Sequence, residues 1–147
     1  MHHLAIMNPK RKLIPKILSG EKKIESRRYL MKVAPRDKVH PGDIIYFKDA
    51  GKPVTLQAEV EKVLQYDHYS DQQLQEIITK YWWPWGIAFH GALTWAYTRA
   101  KPKKYCILMF LKNPQKIKPF AIDKKWYWSA CAWITLPDIE KIRSLEV

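Results

Sequence analysis

Apolar positions change their period along this chain, and each change marks an element. Leu4, Ala5, Ile6 and Met7 form a short apolar run closed by Asn8-Pro9, which predicts a first strand over residues 3–7. Leu13, Ile14, Ile17 and Leu18 then share one face at helical spacing. Pro15 is compatible only with a first turn, so this helix starts near Arg11 or Lys12. Ser19-Gly20 ends it, with Gly20 as a left-handed cap. A strand follows over residues 23–29, then a connection over 30–42 rich in charge and proline, closing on Pro41-Gly42. Residues 43–48 form the next strand and 49–53 a turn. Leu56, Ala58 and Val60 alternate, and Val63 and Leu64 break the alternation, so residues 55–66 make one long strand bent midway.

The second half begins with a capping box, Ser70 at the cap and Gln73 reaching back. Leu74, Ile77, Ile78 and Tyr81 repeat behind it at helical spacing. The Trp-rich segment 82–90 reads as a loop and 91–99 as a short helix. Strands are expected at 105–111, 116–123 and 130–136. Pro137 opens a last short helix with Ile139 and Ile142 facing inward. Runs of strands with few helices between them predict an α+β fold, a small mostly antiparallel β-barrel with flanking helices. At 147 residues the chain has the size of one domain with one core, residues 1–147, and no repeat or low-complexity segment interrupts it.

Charge changes this picture. Lys and Arg number 26 against 14 Asp and Glu, for a net +12 and a pI near 9.7. Such a field draws polyanions, and lysines clustered in the first third of the chain favour contact with nucleotide or RNA over a merely solvated basic surface. No stretch approaches the ~20 apolar residues of a membrane span, and the start, Met1-His2-His3-Leu4-Ala5, lacks the charged region and apolar run of a signal peptide. Cys106 and Cys131 lie far apart in apolar runs and read as reduced core residues of a cytoplasmic protein. His2, His3, His40, His68 and His90 show no zinc-ligand spacing, so no metal or cofactor is expected. Aromatic residues are abundant, with seven Trp and eight Tyr. Successive strand side chains alternate sides, so Trp126-Tyr127-Trp128 cannot all face inward. An outward ring there can stack a base.

The densest chemistry is Gly20-Glu21-Lys22-Lys23-Ile24-Glu25-Ser26-Arg27, a G-x-K-x-x-E-x-R pattern directly after the helix stop. With Pro41-Gly42-Asp43-Ile44-Ile45-Tyr46-Phe47 as the next strand, the chain resembles the ASCH domain family over most of its length, to Ala132-Trp133-Ile134. The resemblance implies a PUA-like β-barrel, a fold grouped with RNA-binding domains. Some members of that family are small amidohydrolases that cleave N4-acylated cytosine derivatives, N4-acetylcytidine among them, using a lysine, a threonine and a glutamate. Lys22 stands at the lysine position. Glu25 stands where the best-known bacterial amidohydrolases carry the threonine. The family's glutamate falls near the helix after the long strand, where this chain offers Glu76, with Asp71 near the helix start.

The residues themselves permit that chemistry. Glu25 and Arg27 share one face of a strand while Ile24 and Ser26 take the other, and Lys22 can reach the first face from the turn. A poorly hydrated lysine beside cations can act as base or nucleophile; kept charged, it can hold an oxyanion. Lys22, Glu25 and Glu76 are therefore the catalytic candidates. Arg27, Ser26, Trp126, Trp128 and Ser129 are the substrate-binding ones, and the three last either wall a base pocket or form a hydrophobic lid. The expected partner is a small modified nucleoside, free or within RNA, bound by a monomer or weak dimer. Competing readings are a PUA-like module that binds RNA without catalysis, a surface ion-pair ladder of Lys22, Glu25 and Arg27 that contributes little, and a ribonuclease, for which the sequence places no histidine pair.

Overall fold

The computed structural model describes residues 1–81, 104–124, 127 and 131–144. Strand β1 (His2–Met7) is followed by a 3-10 turn and helix α1 (Leu13–Ser19), then β2 (Ile24–Tyr29), β3 (Ile44–Asp49), β4 (Val54–Asp67), α2 (Asp71–Tyr81), β5 (Tyr105–Phe120), β6 (Trp133–Leu136) and a closing 3-10 turn at Ile139–Ile142. The six strands form one mixed half-barrel sheet in the order β2-β5-β4-β3-β1-β6. Every pairing is antiparallel except β1 with β3. The fold is α+β, and among the described residues β2 and β6 are the two edges of the sheet.

Alternation in β5 explains why an uninterrupted apolar run is needed there. Ile107, Met109 and Leu111 point to one face, where they pack with Leu13 and Ile17 of α1 and with Ile45, Phe47, Leu56 and Ala58. Cys106, Leu108 and Phe110 point to the other, against Leu74, Ile77, Ile78 and Tyr81 of α2. The strand is covered on both sides, so both sides must be apolar. Burial also pushes the Cys106 thiol up to about 12, which leaves it protonated and unreactive. A third cluster, built on Leu4, Val54, Phe120, Ile134, Leu136, Ile139 and Ile142, closes the chain's ends together.

The bend expected in β4 is a register shift between Val60 and Lys62. It flips the alternation: Leu56, Ala58 and Val60 face the α1 side, as does Val63 after the shift, while Leu64 and Tyr66 turn to α2. One sequence expectation is corrected. Residues 105–111 and 116–123 are not separate strands, because β5 runs through Asn113-Pro114. Its pairing with β4 slips there, from Glu59 opposite Lys112 to Gln57 opposite Gln115. The extra residue on β5 forms a bulge with Asn113 at φ 51, which accommodates a proline that a regular ladder would reject. The capping box is present, with Gln73 N–H donating to Ser70 Oγ at 3.1 Å and Ser70 N–H donating to Gln73 Oε1 at 2.8 Å. The expected loop 82–90 and helix 91–99 lie outside the described residues.

Gly20 ends α1 at φ 85, its N–H bonded to the Ile17 carbonyl. A Cβ there would meet no atom within 4 Å, so only the backbone conformation requires glycine. Gly20→Ala is expected to cost about 1 kcal/mol, read from chemical denaturation.

Candidate functional site

The turn after Gly20 is tethered by the Lys22 N–H, which donates to the Lys16 carbonyl at 3.0 Å. This brings the chain inward, so Lys22, two residues ahead of β2, is a buried side chain, 3% exposed. Its Nζ donates to the Ile24 carbonyl at 2.5 Å. Ile24 packs toward α2. Strand alternation then sends Glu25 to the opposite face, where it is 4% exposed, with Arg27 and Tyr29 following on the same side. Arg27 Nε lies 3.6 Å from Glu25 Oε1. Glu25 Oε2 is buried with no hydrogen-bond partner among the described residues.

One carboxylate is thus surrounded by cations. Burial holds the Lys22 ammonium below the ordinary lysine range; Glu25 opposes that shift, and the charges of Arg11, Arg27 and Lys16 reinforce it. Burial lowers Arg11 in the same way, against the attraction of Glu25. The cluster places a lysine that gives up its proton more easily than usual within electrostatic reach of a carboxylate with an open oxygen.

Arg27 also spans the gap between the sheet edges. Its guanidinium lies 5.2 Å from the centre of the Trp133 ring, and it reaches the Ala132 carbonyl and Met7 Sδ, each at 3.5 Å. On the outer side of this seam is a hollow of about 530 Å³ walled by Tyr29, Met31, Val33, Ala34, Ala132 and Trp133. Leu30, Met31 and Val33 are more exposed than large apolar residues usually are, so the hollow has an open hydrophobic rim. Neither Lys22 nor Glu25 lines it; Arg27 connects them to its wall. Trp133 is fixed in turn by its indole N–H, which lies 3.3 Å from both His3 Nδ1 and Thr135 Oγ1.

Of the residues singled out from sequence, Lys22, Glu25 and Arg27 come together. Glu76 does not join them. Leu74, Ile77, Ile78 and Tyr81 turn inward on α2, which leaves Glu76 exposed on its outer side, beside Gln72, Gln75, Thr79 and Lys80. The sheet stands between Glu76 and Glu25. Ser26 sits with Ile24 on the α2 face of β2, away from Glu25 and Arg27, because adjacent strand residues face opposite ways. Trp126, Trp128 and Ser129 lie outside the described residues. Sequence reasoning missed Arg11, Tyr29 and Trp133. The period of two from Glu25 and Arg27 would have found Tyr29. Arg11 and Trp133 reach the cluster only through the chain's path. Among the described residues, no group of His, Cys, Asp or Glu side chains is arranged to hold a metal ion, and no helix is long and apolar enough to cross a membrane.

This half-barrel, with the lysine turn entering its edge strand, has an ASCH-like, PUA-like architecture. The crystal structure of the ASCH protein from Zymomonas mobilis superposes with a TM-score of 0.64 at 18% identity, covering 95% of this chain and 90% of that one. A single-residue variant of that protein gives a TM-score of 0.60 at 19% identity, over 95% and 93% of the two chains. A second variant gives 0.63 at 18%, over 95% and 91%. At such identities the likeness defines the fold. No family model matches the chain, and no curated protein does.

Proposed function

We propose that this protein is an amidohydrolase that removes the acyl group from the N4 amine of cytosine nucleosides of the N4-acetylcytidine type. The observation that carries the reading is the buried Lys22, its ammonium destabilised, within electrostatic reach of the buried carboxylate of Glu25. The resemblance of the G-x-K-x-x-E-x-R segment to the ASCH amidohydrolases supplies the reaction class.

The chemistry runs as follows. The pyrimidine lies in the apolar hollow against Tyr29 and Trp133, with its N4-acyl group directed to the seam. Neutral Lys22 takes a proton from water as the oxygen attacks the acyl carbonyl. Arg27 offers N–H donors to the oxyanion. Glu25 relays the proton from Lys22 to N4 as the C–N bond breaks. Cytidine and the free acid leave, and Lys22 returns to its neutral form. A lowered lysine pKa matters because a fully protonated ammonium cannot accept the first proton.

The test is incubation of the protein with N4-acetylcytidine and chromatography of the products. Stoichiometric cytidine and acetate are expected; unchanged substrate under conditions where the protein is folded would reject the reading.

A second reading, an RNA-binding module without catalysis, is favoured by the net charge of +12 and by 13 basic against 5 acidic side chains in residues 1–53. It predicts that affinity for short single-stranded RNA falls steeply between 50 and 200 mM salt, by about 300-fold if some six phosphates are contacted. Binding that ignores salt would remove it.

A further inference from the structure

A second hollow, of about 520 Å³, opens where β1 ends. Met7 and Pro9 form part of its wall, Ala132 another part, and Lys48 and Lys124 stand over it. No acidic residue belongs to its described lining. Lys124 is anchored by its Nζ donating to the Cys131 carbonyl at 2.9 Å. Lys48 is half-buried at the end of β3. Burial, and then the charge of Lys124, hold the Lys48 ammonium below the ordinary lysine range. The two cations therefore repel each other over one cavity, and an anion between them would relieve both the repulsion and the desolvation.

The hollow also adjoins the seam. Cys131 and Ala132 line both cavities. Met7, in the wall of this one, contacts Arg27 through its sulfur, and Arg27 stacks on Trp133 in the wall of the other. A ligand whose flat ring lies against Trp133 can thus extend a charged substituent over Ala132 toward the lysines.

We propose that Lys48 and Lys124 form a phosphate subsite, so that the preferred ligand of the seam is a phosphorylated nucleoside rather than a free one. This rests on the reading of the seam as a cytosine site. The phosphate can belong to a mononucleotide or to the backbone of an RNA strand. The same two ammonium groups would serve both, and a free 5′-nucleotide and a dinucleoside phosphate distinguish them.

Calorimetric titration of the intact protein with cytidine, cytidine 5′-monophosphate and the dinucleoside phosphate CpC decides the matter. One of the two phosphate-bearing ligands is expected to bind about tenfold tighter than cytidine, the size of one or two charge-assisted contacts at a half-exposed site. That gain should vanish in Lys48→Gln and in Lys124→Gln while cytidine affinity stays within about twofold. Lys80→Gln, a charge removed from α2, should retain it. Lys124→Gln also loses the bond to Cys131, so Lys48→Gln is the variant that isolates charge.

Cytidine binding with no gain from phosphate, or a gain that both Gln variants keep, would overturn the subsite. Should cytidine itself fail to bind, the cytosine reading fails separately, and inorganic pyrophosphate then tests the lysines alone. Pyrophosphate binding lost in Lys48→Gln supports an anion site, and no binding removes it.

Discussion

Replacing Lys22 with methionine is expected to lower kcat/KM for N4-acetylcytidine by about 10³-fold while the protein remains folded. Methionine follows the path of the lysine stem and withdraws a cation that burial disfavours. Glu25 is not left alone, because Arg27 stays 3.6 Å away and Arg11 still attracts it. The lost bond to the Ile24 carbonyl is the main structural cost, about 1 kcal/mol. Near-ultraviolet circular dichroism and the unfolding midpoint should therefore change little. Lys22→Arg separates the two roles a lysine can have. Arginine stays charged at any working pH, so it preserves an oxyanion partner and abolishes a base. Loss of activity in both variants identifies the base, and an active Lys22→Arg protein would reject it.

The same substitution has a pH signature in stability. Lys22 is lowered from 10.5 in the fold, so the unfolded chain binds more protons in the interval below that value. Stability consequently rises with pH through the interval between the folded value and 10.5. Lys22→Met should flatten that rise. A wild-type profile already flat there would mean that the ammonium is not destabilised, and the proposed base would lose its physical basis.

Much of this architecture was legible because it follows from local rules. Helix α1, its Gly20 cap, the Ser70-Gln73 box and the inward stripe of α2 are set by residues within a turn of each other. Lys22, Glu25 and Arg27 were placed together by a turn and a strand period of two. What failed needed tertiary knowledge. Asn113-Pro114 reads as a break until its bulge is seen against β4. Glu76 is near the motif only if the helix after β4 lies on the motif's face of the sheet, and α2 covers the other face. Arg11 and Trp133 come from opposite ends of the chain. Nothing local says that β6 closes over β2, so the arginine stacked between the edges could not be anticipated.

Trp133 itself depends on a buried polar network, and His3→Ala is expected to destabilise the protein by about 3 kcal/mol. His3 is fully buried, with Nε2 2.8 Å from Asp43 Oδ2 and Nδ1 2.9 Å from Thr135 Oγ1. The Trp133 indole is a donor only, so its approach to Nδ1 makes that nitrogen an acceptor. The neutral form with the proton on Nε2 satisfies every contact, and it agrees with burial lowering the His3 pKa despite the neighbouring Asp43. Burial alone would raise Asp43, but hydrogen bonds from His3, the His40 N–H and the terminal ammonium together hold it below its usual value. Removing the imidazole leaves a cavity and strips Asp43 of its buried donor. A loss of that size lowers the unfolding midpoint of a chain this long by about 10 °C.

The sign of the pH dependence follows from the same contacts. His3 is lowered from 6.5, so the unfolded chain takes up the extra proton first, and stability is lost as pH falls from 6.5 through the folded value. Asp43, lowered from 3.8, adds a further loss below that pH. The first step should be absent in His3→Ala and retained in His68→Ala, where the ring packs at the edge of Tyr105. The readout at the seam should move too. Without His3, the Trp133 indole keeps only Thr135 as an acceptor among the described residues, and the ring against which Arg27 stacks is held less firmly. Nucleoside affinity should therefore weaken by a few-fold at temperatures where the variant is still folded. Unchanged affinity there would disconnect the network from the site.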